Sequence, residues 1–290
     1  MIHSSPLRYP GGKGCLAGLL ATIIDLNGLR GCRYFEPFAG GAGAALELLK
    51  DDVVSEIHIN DADIRISSFW KAAVCETDRF VDRIFEIPLN IEEWSRQELI
   101  CSNPRGKQTF ELGFSAFFMN RCNRSGVMKG AGPIGGKAQA GKWKLDVRFN
   151  RETLASRILA LGRRRERIHI SNEDAMAFLK NSLPRGTQRK QVLVFLDPPY
   201  VNKGQRLYLN AYGPKDHGAL AGYVNAQKTL PWIMTYDDTE LIRDLYAANC
   251  VLPMPIRYSL NQKVKASELM IAPKRLHLPQ SIQQSILKSN

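Results

Sequence analysis

Asp197-Pro198-Pro199-Tyr200 brings a carboxylate, a stiff carbonyl-bearing corner and an aromatic ring into one small space. Two consecutive prolines remove two backbone donors and hold φ at about −65°, so neither strand nor helix continues and the carbonyls are free to face a ligand. Such a corner suits a planar base that carries an exocyclic amine. The Asp197 carboxylate accepts one N–H, the Pro198 carbonyl accepts the other, and the Tyr200 ring stacks on the base. A polar surface turn would carry the same four residues, so the surrounding elements have to decide between the two readings.

The apolar run Val192 to Leu196, bounded by charge before it and prolines after it, reads as a buried parallel strand that delivers Asp197 at its end. Earlier in the chain, Arg33 to Glu36 leads through Pro37-Phe38-Ala39-Gly40-Gly41-Ala42-Gly43 into a helical run from Ala44 to Lys50. Strand, glycine-rich turn and helix in that order open a doubly wound α/β sheet, in which glycines let a cofactor press on the backbone. A second strand, Ile57 to Asn60, ends in Asp61 about 20 residues after the glycines, where an acid accepts the hydroxyls of a ribose.

Glu36 and Phe38 before that turn depart from a dinucleotide pattern. A pyrophosphate would be repelled by Glu36, whereas a sulfonium or ammonium would be favoured by the acid and nearby rings. S-adenosylmethionine therefore fits the loop better than a nicotinamide dinucleotide, although Phe35 and Phe38 equally suit a plain core. Near the start, Arg8-Tyr9-Pro10-Gly11-Gly12-Lys13 sets a stacking ring and a mobile charge around glycines that allow close backbone approach, or forms a simple turn. Asp174, just beyond a short strand Ile168 to Ile170, either caps the next helix or sits beside an adenine ring.

Gly43 and Asp197 lie much farther apart than consecutive βαβ units require, so a segment is inserted, expected over 74–150. It starts with helical runs at Arg79 to Phe85, Ile91 to Ile100 and Phe110 to Asn120. It then becomes rich in Asn, Arg, Ser, Lys and Gly from Asn120 to Gly130 and on to Lys144. Those side chains read base edges and phosphates, with Val127 and Met128 as an apolar wedge; a mobile basic loop has the same composition. The arginines at 163–167 read as a solvated face or a phosphate contact. Asn202 to Tyr212 is long enough to cover the site as a lid.

With 290 residues, 44% of them apolar and 23% charged, the chain is an ordinary globular protein. Its 40 Lys and Arg against 28 Asp and Glu, a net charge of +12, favour a polyanionic partner. The six cysteines form no Cys-x-x-Cys pair and the five histidines are as scattered, so no metal is predicted. No apolar core of signal-peptide length and no membrane-length apolar run is present, so a cytoplasmic protein without a membrane partner is expected.

In these pieces, taken in their order, the chain resembles the Dam-like (D12 class) site-specific DNA N6-adenine methyltransferases. The resemblance rests on Arg8 to Lys13, Glu36 to Gly43, Asn60-Asp61, Asn120 to Gly136, Asp197 to Tyr200, Trp232 to Asp237 and Tyr258 to Met270. It implies a Rossmann-like doubly wound S-adenosylmethionine-dependent methyltransferase core, 1–73 and 151–275, with a mostly helical target-recognition insertion, 74–150, and a tail, 276–290. Tyr9, Lys13, Glu36, Phe38, Gly40, Asp61, Asp174 and Asp197 would then hold the cofactor. Asp197, Pro198, Pro199 and Tyr200 would hold a flipped-out adenine in double-stranded DNA, and Asn120, Arg121, Arg124, Ser125 and Lys129 would contact that DNA. Arg124 to Lys129 departs from the Tyr-Asn-Gly-Leu-Cys-Arg of members that read GATC, which leaves the target sequence open, as are the oligomeric state and a partner restriction endonuclease. The alternatives are an N4-cytosine or RNA adenine amino-methyltransferase, which more often carry Ser or Asn in place of the acid, and a catalytically idle DNA-binding subunit.

Overall fold

The apolar run at 192–196 forms β4 (Val192–Leu196) with all five side chains buried, and the sheet is ordered around it. The structure is a computed structural model and describes residues 4–8, 12–128, 130–202, 212–255 and 267–280. Parallel to β4 on one side runs β1 (Arg33–Glu36), with Tyr34 opposite Leu193 and Phe35 opposite Val194. Next come β2 (Glu56–Asn60) and, at the edge, β3 (Ile168–Ser171), both parallel, with His58 opposite His169. On the other side of β4 lie β5 (Trp232–Asp237), parallel to it, then β7 (Ser267–Ala272), antiparallel to β5, and at the edge β6 (Cys250–Pro255), antiparallel to β7.

The strand order is β3-β2-β1-β4-β5-β7-β6. This seven-stranded, mostly parallel sheet flanked by helices is the Rossmann-like methyltransferase core expected from the sequence. Its direction of winding reverses between β1 and β4. In open α/β sheets the crevice outside the carboxyl ends of the strands at that reversal is where ligands bind. Glu36 ends β1 and Asp197 follows β4, so two acids meet at the crevice.

Alternation along the strands builds a core on each face. Leu193 and Phe195 face α1 (Ala17–Leu26), α2 (Gly43–Lys50) and α3 (Ile64–Cys75). Val192, Val194 and Leu196 face α8 (Ala175–Asn181), α9 (Pro214–Asn225) and α10 (Glu240–Leu245). Between β2 and β3 the chain leaves the sheet for α3, α4 (Thr77–Glu86), α5 (Ile91–Ser102), α6 (Thr109–Cys122) and α7 (Arg151–Gly162). Residues 74–150, expected as an insertion, lie within this helical excursion, which also takes in α3 and α7. Its core is continuous with the one beneath the sheet: Phe69 on α3 packs with Phe80 on α4 and Phe117 on α6, at ring separations of 5.8 and 5.9 Å.

One feature differs from expectation: Asn120, Arg121 and Cys122 form the last turn of α6 rather than the start of an irregular loop. The lid expected over 202–212, except for its two ends, lies outside the described residues, as do the segment before β7 and the tail beyond Gln280. Among the described residues, no helix is long and apolar enough to cross a membrane.

The join between α6 and the core is close because Gly113 lets α6 lie against the backbone of α3. A Cβ at Gly113 would stand 2.4 Å from the Ser68 carbonyl oxygen. Gly113→Ala should therefore destabilise the protein by about 1–3 kcal/mol in urea unfolding, as overpacking does. In an uncrowded helix interior the same change would be stabilising, so a gain in stability would contradict this packing.

Candidate active site

Asp197 meets two donors on one oxygen. Thr235, fully buried on β5, donates its hydroxyl to Asp197 Oδ1 at 2.6 Å, and Lys13 Nζ lies 3.1 Å from the same atom. Lys13 Nζ is also 3.5 Å from Glu268 Oε2, donates to the Tyr200 hydroxyl at 2.9 Å, and stands 5.2 Å from the centre of the Tyr200 ring. Lys13 is 8% exposed and Glu268 1%, so one ammonium is buried between two carboxylates. Burial works to lower the Lys13 pKa, but the charges of Asp197 and Glu268 outweigh it, and Lys13 remains firmly protonated. Burial raises the Asp197 carboxyl, with Lys13 and Thr235 acting against it.

The corner at Pro198, Pro199 and Tyr200 is buried and held from behind. Asp237, at the end of β5, accepts the N–H groups of Val201 and Asn202 at 3.0 and 2.9 Å, which fixes the chain where it leaves Tyr200. The Tyr236 ring lies 6.3 Å from that of Tyr200, and its hydroxyl pairs with Nδ1 of the buried His217 at 2.8 Å. Thr235, Asp237 and Glu268 were not singled out from the sequence. Their signal was present as polar residues inside strands that are otherwise apolar, where a buried polar group needs a partner.

The glycine turn is pinned by side chains on three sides. Asp61 accepts the Gly40 N–H on Oδ2 and the Asp63 N–H on Oδ1, both at 2.9 Å, and Trp70 donates its indole N–H to the Gly40 carbonyl at 3.0 Å. Burial pushes the Asp61 carboxyl up to about 7 against those two amides. Asn60 donates to the Pro37 and Glu173 carbonyls and accepts from Ser171 and Glu173, so it stitches the ends of β1, β2 and β3 together. Glu36 accepts the Tyr34 hydroxyl at 2.9 Å and the Ala45 N–H at 3.2 Å, yet burial pushes its carboxyl up to about 8.

The two aromatics near the turn separate. Phe35 is a core residue, stacked on His58 at 4.2 Å, whereas Phe38 is half-buried with its ring 5.7 Å from Tyr212. Asp174 caps α8 by accepting the Met176 and Ala177 N–H groups, the capping alternative. Its charge also reaches the Tyr212 phenol, which burial, Asp174 and Asp216 all push up. Phe38 and Tyr212 thus pack edge to face just after β1, within the electrostatic reach of Asp174.

The residues expected to contact DNA divide into buried and exposed sets. Asn120 is 1% exposed; it accepts the Arg8 N–H at 2.7 Å and donates to the carbonyls of Arg8 at 2.7 Å and Gly126 at 2.9 Å. Arg121 is 7% exposed and donates to the Pro6 carbonyl. In this structure α6 runs on through these two, expected to contact DNA, and turns both inward, where they clamp residues 6–8. Gly126 presses on the same strand, since a Cβ there would lie 2.5 Å from the Arg8 carbonyl oxygen. Arg124 and Ser125 remain exposed. Tyr9 and Lys129 lie outside the described residues. Met128 packs on the core, and the exposed apolar residue of the basic stretch is Trp143, 60% exposed with Lys142 Nζ 5.5 Å from its ring. Trp143 was missed, because composition marks a basic stretch but not which of its side chains points outward.

Across residues 9–259 the chain matches the family described as D12 class N6 adenine-specific DNA methyltransferase. No curated protein matches it.

The raised Glu36 carboxyl makes stability depend on pH. Its ordinary value is 4.5 and its folded value about 8, so the folded protein holds a proton that the unfolded chain gives up between those limits. The stability this contributes is fully present below about pH 4.5 and is lost as pH rises through about 8. Urea midpoints of the ligand-free protein should thus fall from pH 6 to pH 8, and Glu36→Gln should flatten that slope. An unchanged slope in the variant would remove Glu36 as its source.

Proposed function

The chain belongs to the D12 class of N6-adenine-specific DNA methyltransferases, and from this premise we propose how its residues methylate adenine in DNA. The observation that carries the reading is the position of Lys13 Nζ. It is an N–H donor already seated against Asp197 and above the Tyr200 ring, where the amine of a target adenine would sit. Asp197 and the Pro198 carbonyl accept the two N6 hydrogens, and Tyr200 stacks on the base. Accepting both hydrogens turns the nitrogen lone pair out of the ring's π system and toward the methyl donor. Lys13 gives up Asp197 as the amine arrives and keeps its ion pair with Glu268, so neither charge is left buried alone.

S-adenosylmethionine is the donor we infer; when bound, it supplies an electrophilic methyl group on a positively charged sulfur. The residues around the turn fit it by their chemistry: Asp197 is an acid at the switch crevice that would oppose a pyrophosphate, and Glu36, which burial keeps protonated at neutral pH in the ligand-free protein, would ionise more readily beside a sulfonium. Asp61 has a lone pair left on each oxygen for ribose hydroxyls, and Phe38 and Asp174 border an adenine. Gly40 keeps the backbone open to close approach. Thr235 and Asp237 hold Asp197 and the Pro-Pro-Tyr corner still, so alignment is set before the reaction.

N6 is out of reach inside a stacked duplex, so the adenine is extruded at a cost of about a few kcal/mol. Arg124, Ser125 and Lys129, with Lys142 and Trp143, are the groups we assign to offsetting that cost through phosphate contacts and stacking. Asn120 and Arg121 act from inside by holding this loop to residues 6–8. Residues 74–150 would then act together as the recognition unit.

The test is incubation of the purified protein with methyl-tritiated S-adenosylmethionine and unmethylated genomic DNA. Label should appear in N6-methyladenine, and single-molecule sequencing should trace it to one short motif. Asp61→Ala should weaken cofactor binding by about tenfold or more in calorimetry, the scale of lost buried hydrogen bonds, while DNA affinity is kept. Unlabelled DNA with cofactor affinity intact, or an Asp61→Ala variant that binds the cofactor as wild type does, would contradict the reading.

A further inference from the structure

The histidines that are scattered in the sequence are not all scattered in space. His58 and His169 are register partners on β2 and the edge strand β3, and Glu56, two residues before His58, points to the same face of the sheet. His58 Nε2 lies 2.9 Å from Glu56 Oε1, and His169 Nε2 lies 3.3 Å from Glu56 Oε2. One ligand atom from each of the three residues falls within 4.8 Å of the others. None of the three belongs to the active site described above.

We propose that Glu56, His58 and His169 form a binding site for a divalent first-row transition cation. Ligands about 2.1 Å from a shared ion stand about 3.0–3.4 Å apart at right-angled to tetrahedral geometry; of the two observed His–Glu separations, 3.3 Å falls inside that range and 2.9 Å just below it. The donor types select the ion class: two imidazole nitrogens and one carboxylate suit zinc, nickel or copper, whereas magnesium and calcium want oxygen ligands throughout. His58 is held ready. Its ring is stacked between Phe35 at 4.2 Å and His169 at 4.4 Å, which fixes the plane of the imidazole. His169, with 46% of its side chain exposed, has the freedom to rotate and close the site.

Binding needs no redox step and no net proton transfer. A neutral imidazole moves its proton from Nε2 to Nδ1 and offers the freed lone pair to the ion. Water fills the remaining positions, since the site is open on one side. An ion there would tie the edge strand β3 to β2, the two strands that deliver Asp174 and Asp61 to the crevice.

Titrating the tag-free, phosphine-reduced protein with Ni²⁺ in a calorimeter tests the site. Saturation at one ion per chain is expected, with Ni²⁺ raising Tm as any ligand of the folded state does. His169→Ala, a change at an exposed edge position that the fold tolerates, should weaken binding by about tenfold or more and abolish the Tm shift, and Glu56→Gln should weaken it too. Absence of saturable binding would overturn the proposal. So would undiminished binding by His169→Ala, which would assign the ion to thiols such as the exposed Cys15 and Cys75.

Discussion

The Lys13 ammonium, buried between Asp197 and Glu268, is the interaction on which the arrangement of the crevice depends. A buried charge of this kind is tolerated only with partners of opposite sign, and here the partners come from the ends of β4 and β7. Satisfying it draws the start of the chain across the top of the sheet. Residues 4–8 are then fastened on the way: Ser5 donates to the Gly41 carbonyl at 2.6 Å, Arg157 donates to the Ser5 carbonyl at 2.9 Å, and Asn120 grips both backbone groups of Arg8. The glycine turn and the end of α6 are thereby joined through residues 4–8.

The second constraint is topological. Because the winding reverses between β1 and β4, Glu36 and Asp197 emerge side by side, and Asp61 arrives from β2 next to them. Burial raises the pKa of all three acids. A crevice of three acids within a chain of net charge +12 suits a cation, whose arrival would favour their ionised forms, while the basic excess outside it suits a polyanion.

Much of this was legible in the sequence wherever chain order and local chemistry coincide. The run 192–196, the glycine turn at 40–43 and the acid at 61 are local signals, and each element formed where its pattern put it. Contacts made across the sheet were not legible. Nothing in the run 232–237 says that Thr235 and Asp237 would grip Asp197 and the chain after Tyr200, because register between β4 and β5 decides it. Glu268 is similar, since its partner is 255 residues away in sequence. The inward turn of Asn120 and Arg121 was not legible either, because a helix end can turn polar residues inward as readily as outward, and only the packing of α6 on residues 6–8 fixes which. The pairing of His58 with His169 was hidden for the same reason: the helices between β2 and β3 separate them in the chain but not in the sheet.

Asp197→Asn is the most direct probe of the central claim, that the Asp197 carboxylate receives and orients the adenine amine. The substitution keeps the size of the side chain and leaves Lys13 its pair with Glu268. Single-turnover methyl transfer and cofactor affinity should be measured on the same preparation. The account predicts transfer slowed by about 10³-fold, as when a preorganised polar contact to the reacting group is lost, with cofactor affinity close to that of the wild type. Transfer within about tenfold of the wild-type rate would contradict it.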